Sequence, residues 1–225
     1  MRRSSLPIDP ALLAIVCVGL FVGLLGLLHV IRADLDPSWH FISEYEIGRH
    51  GWLMQGAFLL LALANLALLV AVWPALRGVV GTLGAVLFLV GTLGTVLGGL
   101  AVPDAAGTLP EAATASGKLH SLGGGLGLAG VLGTWLMSAA LASSDAWRPE
   151  RKALLAATAL FTLGFLVAFV SIATLTARSG GTFGPDVPVG WPNRIGILAG
   201  CAWILTVARA ARCLARARSE IVTAP

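Results

Sequence analysis

ALLAIVCVGLFVGLLGLLHVI, residues 11–31, carries one strongly polar side chain, His29, in an otherwise apolar run. A helix needs about 20 apolar residues to cross the hydrocarbon core of a bilayer, and this run is long enough. Five more of that kind follow, at about 52–73, 79–102, 119–142, 153–174 and 193–213. The 225 residues are 57% hydrophobic and only 12% charged, with a mean hydropathy of +0.88. A soluble domain needs more charge than that to cover its surface, so lipid is the expected solvent. The expectation is an all-α fold, a bundle of six transmembrane helices forming a single domain over residues 1–225. The first run is too long for a cleaved signal peptide, and Arg32 stands where a small-residue cleavage site is wanted, so it reads as a retained anchor.

Charge sets the expected orientation. Six crossings with the N-terminus inside place ten of the 15 basic residues on the inner side, among them Arg2, Arg3, Arg77, Arg148 and the tail RAARCLARAR at 209–218. Five fall outside: Arg32, Arg49, Lys118, Arg178 and Arg194. The excess of positive charge inside puts both termini in the cytoplasm. The basic tail suits anionic headgroups; no folded nucleic-acid module accompanies it. Cys17, Cys201 and Cys213 fall in spans or the inner tail and cannot form an outer disulfide. The inner connections are short and the outer ones longer, which concentrates functional material on the outer face. The third outer connection, ARSGGTFGPDVPVGWP, is rich in Gly and Pro and reads as an irregular lid.

Between the first two spans lies SWHFISEYEIGRHG, residues 38–51, the densest polar chemistry in the chain. Ser43 with Glu46 three residues on has the pattern of a capping box for a helix running into the second span, which leaves Glu44 without a role. Trp39, Phe41, Ile42 and Tyr45 read as an interfacial aromatic belt. Asp104 follows Pro103 at the end of the third span, either solvated or paired with an outer arginine. Ser116 and His120, four apart, share a helix face. They suit a nucleophile and its base, or simple hydrogen bonds at a helix start. Asn193 after Trp191-Pro192 is a plausible N-cap for the sixth helix. Arg194 then sits in the first turn, where the helix dipole disfavours a cation, at a depth where an unpaired charge is costly. It either snorkels to lipid phosphates or pairs with Glu44 or Asp104.

Other chemistries are weaker. Ala112–Leu119 lacks the Ser/Thr that a phosphate-binding loop needs after Lys118. Neither G-x-S-x-G nor H-E-x-x-H occurs. His29, His40, His50 and His120 have no tight ligand spacing within one element, so no metal site is assigned and haem between His29 and His120 is disfavoured. Midplane charges are missing, which argues against ion-coupled transport. Asn65, the main polar side chain at depth, is expected to hydrogen-bond between helices. Gly94 with Gly98, and Gly123 with Gly127, read as close-packing pairs.

The segments HFISEYEIGRHGWL, VPDAAG, TASGKLH and WPNRIGIL, in that order, resemble the domain-of-unknown-function 998 family of bacterial and archaeal six-span membrane proteins. The resemblance implies a prokaryotic plasma membrane and matches Ser43, Glu44, Asp104, His120 and Arg194 to the family's polar positions; it implies no reaction. A more distant likeness, to the eukaryotic membrane family that includes a GPI-anchor remodelling protein and the damage-regulated autophagy modulators, suggests lipid handling by analogy alone. Three expectations follow. The first is an outer-leaflet pocket for an anionic lipid or similar headgroup, with Arg194 on the anion, Glu44 and Asp104 holding Arg194 in place, Ser43 among the ligand-binding residues, and Ser116 and His120 lining it. The second is a lipid hydrolase or transferase using His120 and Ser116, with or without zinc. The third is a structural or assembly protein without a ligand. Cofactor and protein partners stay open; the expected partners are membrane lipids.

Overall fold

A computed structural model describes residues 9–109 and 111–223. Arg2 and Arg3, counted above on the inner side, lie outside the described residues. Six long helices form: α1 (Pro10–Ile31), α2 (Gly51–Val72), α3 (Gly78–Leu100), α4 (Ala115–Ser143), α5 (Arg151–Arg178) and α6 (Gly190–Thr223). No strand occurs among the described residues. All six are long and apolar enough to cross a membrane. Large apolar side chains such as Val30, Trp52, Val79, Leu100 and Leu163 are left exposed along them. In water so much bare apolar surface would drive association; in a bilayer it is the lipid-facing wall.

Local sequence sets the ends of the helices. Asp9 caps α1 by accepting the Ala11 and Leu12 N–H groups, and Pro10 starts the helix where its missing N–H costs nothing. Thr114 caps α4 through the Gly117 N–H, so this helix begins at Ala115, ahead of the apolar run at 119. Likewise α6 begins at Gly190, ahead of the expected start at 193. An even number of crossings returns the chain to its starting side: Arg212 on α6 meets Asp9 at 2.9 Å and Arg209 meets Glu150 at 2.9 Å. That side is the basic end of the bundle. The opposite, polar end carries the 32–50, 101–114 and 179–189 connections.

The most extensive helix contact is α3 on α4, followed by α5 on α6 and α1 on α2; α1 and α2 also pack on α6. Glycine explains the first. A methyl group at Gly84, Gly91 or Gly94 would collide with α4, and one at Gly123 or Gly133 with α3, so the two backbones touch almost directly. Of the two expected glycine pairs, Gly94 and Gly123 sit in this seam, whereas a methyl at Gly98 or Gly127 would meet nothing. By contrast α4 and α5, although consecutive, make few contacts. The core between α1, α2 and α6 holds Phe21, Leu28, Met54, Leu68 and Trp203, all but fully buried.

Candidate functional site

At the polar end two buried arginines gather the chain. Arg194 is 3% exposed. Its Nε donates to His29 Nε2 at 2.8 Å; Nη1 donates to the His40 carbonyl at 2.7 Å and the Gly190 carbonyl at 3.1 Å; Nη2 donates to the Tyr45 hydroxyl at 3.3 Å. The guanidinium also lies over the Tyr45 and Trp191 rings, a favourable cation–π arrangement. His29 is held as a neutral acceptor for this bond, because its Nδ1 sits 2.6 Å from the Leu25 carbonyl and must donate there. Arg194 therefore neither snorkels nor pairs with Glu44 or Asp104, as the sequence suggested: neutral acceptors from three segments enclose it first.

Arg32 does the same for the first connection. It pairs with Asp34 at 2.9 Å and donates to the Ile47 and Arg49 carbonyls at 2.9 Å each. That hydrogen bond raises the Arg32 pKa and lowers that of exposed Asp34.

The capping expectation shifts by two residues. Residues Ile42–Glu46 form a single 3₁₀ turn, and the chain then passes through left-handed Gly48 (φ 76°) and His50 (φ 65°) before α2 begins. Glu44, not Glu46, reaches back to the turn: its carboxylate accepts the Phe41 N–H at 2.9 Å and, from the second connection, the Ala106 N–H at 3.1 Å. Ser43 is half-buried and caps nothing. Glu46 is buried with neither oxygen hydrogen-bonded, its Oε1 3.9 Å from His120 Nδ1, and burial pushes its pKa up to about 8. Ile42 and Tyr45 are buried, so they belong to the core rather than to an interfacial belt; His40 is buried against Trp39.

Asp104 binds the α4 cap, accepting from the Thr114 N–H at 2.9 Å and the Thr114 hydroxyl at 2.8 Å. A methyl at Gly117 would collide with its carboxylate. Ser116 and His120 do share a face, but each donates to the exit of α3: Ser116 to the Val102 carbonyl and His120 to the Ala101 carbonyl, both at 2.8 Å. Neither bonds the other, so there is no nucleophile–base contact. Asn193 does not cap α6; its oxygen accepts the Ile42 N–H at 3.1 Å. Among the described residues, no three His, Cys, Asp or Glu side chains converge as a metal would require. Together these bonds tie the first two polar connections to the ends of α1, α3, α4 and α6.

Beneath them lies a feature that no motif announced. Where α4 and α5 diverge, a cavity of about 480 Å³ opens, walled by α2 through α6. Leu61 and Asn65 come from α2, Phe88, Thr92 and Thr95 from α3, and Thr134 from α4. Phe161, Phe165 and Phe169 come from α5, and Asn193, Cys201 and Trp203 from α6. Among the described residues, no Asp, Glu, Lys, Arg or His lines it. Glycines on α4 make the room: Gly124 and Gly127 line the cavity at positions where an added methyl would meet nothing. From Gly124 to Thr134 the wall rises about 15 Å, roughly half the ~30 Å thickness of a hydrocarbon core. The volume falls within the roughly 300–1,000 Å³ range of small-molecule sites.

The fold and this site define a multi-pass helical membrane protein with a cavity inside its spans. Residues 15–210 match the family described as "Protein of unknown function (DUF998)", and the chain belongs to that family. Neither a curated protein nor a solved structure matches it significantly.

Proposed function

We propose that this protein binds a membrane lipid in the cavity between α4 and α5, in a prokaryotic plasma membrane with both termini in the cytoplasm. The observation that carries the reading is the meeting of two facts: α4 and α5 make few contacts while both wall the cavity, and what lies beside them in a bilayer is lipid. An apolar cavity of this size left empty would forgo the dispersion contacts of its lining. Its length matches one leaflet, and in the proposed orientation that is the outer one.

The anionic headgroup is not part of this reading. Arg194 has four of its five N–H groups bonded within the protein and is not among the cavity residues. Glu44, Asp104, Ser116, His120 and Arg194 act instead as the frame that fixes the helix ends above the cavity, and Ser43 has no part in it. An electron cryomicroscopy structure in a nanodisc of native lipids tests the proposal. Elongated density between α4 and α5 supports it; closed helices, or a gap without density, overturn it.

A further inference from the structure

Resting on that lipid-binding reading, we infer that the cavity selects an uncharged, long-chain molecule bearing a hydroxyl group, such as a fatty or isoprenoid alcohol, and that Asn65 receives the hydroxyl. The inventory of polar atoms on the wall carries the inference. Thr92, Thr95 and Thr134 each donate their hydroxyl proton to a carbonyl of their own helix, at 2.9, 3.2 and 2.9 Å, so toward the cavity they offer only lone pairs. The Trp203 N–H is spent on Ser138 and Thr158, at 3.1 and 3.3 Å. Asn65 stands at the deep end; its amide oxygen has no hydrogen-bond partner and is closed off from the cavity in this rotamer, so an occupant reaches it once the amide turns inward. In hydrocarbon an unmatched amide acceptor is costly. The wall therefore asks its occupant for a hydrogen-bond donor near the bilayer centre.

A carboxylate or phosphate does not fit, because no cation among the described residues lines the cavity. A plain acyl chain fills the volume and leaves Asn65 unmatched. A hydroxyl both donates to the amide oxygen and accepts from one amide N–H.

The test uses photolabelling of the full-length protein in nanodiscs. The probes are a long-chain diazirine alcohol, its methyl ether and the fatty acid of the same length. Two variants accompany the wild type. Asn65→Leu removes the amide at similar volume, and Gly127→Leu fills the cavity from a position where an added methyl meets nothing. The inference expects the wild type to capture the alcohol over the ether roughly twofold to tenfold, the range of one neutral hydrogen bond. It also expects the acid to trail both, the preference to vanish in Asn65→Leu, and cavity labelling to disappear in Gly127→Leu. Equal capture of alcohol and ether by the wild type, with labelling still lost in Gly127→Leu, overturns the hydroxyl assignment and leaves lipid binding standing. Labelling that Gly127→Leu does not reduce, or no labelling at all, overturns the cavity reading itself.

Discussion

Replacing Arg194 by methionine removes the donor that three segments share. The His29 Nε2 and His40 carbonyl acceptors lose charge-assisted bonds of 2.8 and 2.7 Å. The Gly190 carbonyl, four residues back in the same helix, keeps its backbone donor, and Tyr45 can turn its hydroxyl. Two orphaned acceptors at about 1–3 kcal/mol each come to about 2–6 kcal/mol. Methionine returns part of this, because it no longer buries a guanidinium. The net expectation is a loss of at least ~2 kcal/mol, since the site is buried and the acceptors find no other donor. Arg194→Lys keeps the charge but has one nitrogen where the planar fork reaches in three directions, so it should fall near methionine and not near the wild type. Reversible unfolding by SDS titration in mixed micelles reads both variants. A methionine variant within ~0.5 kcal/mol of the wild type, or a lysine variant that matches it, would refute the view that Arg194 is a structural hub.

Glu46 gives a pH dependence whose sign follows from its burial. Its folded pKa of about 8 lies above the ordinary carboxylate value, so between about 4.5 and 8 the folded protein holds a proton that the unfolded chain has lost. Stability should therefore fall as pH rises through that window, by up to ~1.4 kcal/mol per pH unit. Glu46→Gln should flatten the slope, and an identical slope in both proteins would show that another group is responsible. Gly91→Val should open the α3–α4 seam, because its side chain collides with Gly130. A cost of about 1–3 kcal/mol is expected for such overpacking, whereas Gly127→Ala, facing open space, should stay within about 1 kcal/mol of the wild type. Equal destabilisation by the two would contradict the seam geometry.

The six crossings were legible because they depend on local composition, and runs such as 11–31 allow no other reading. The polar end was legible in its members but not in its pairings. Glu44 and Glu46 carry the same chemistry two residues apart, and only the 3₁₀ turn decides which meets the backbone and which is buried alone. The expected partners of Arg194 were carboxylates because opposite charge is what a sequence displays, whereas backbone carbonyls carry no sequence signature. The cavity was the least legible feature. Gly91 and Gly127 look alike in the chain, yet one touches a neighbouring backbone and the other faces space. Asn65 did stand out as the polar side chain at depth; its expected interhelical hydrogen bond does not form for the amide oxygen, which makes it a lead to the ligand.

Native mass spectrometry of gently extracted wild type beside Gly127→Leu addresses the central claim most directly. Lipid binding between α4 and α5 predicts a discrete adduct of lipid mass on the wild type and bare protein for the filled variant. The same adduct on both, or bare protein in both, would contradict it.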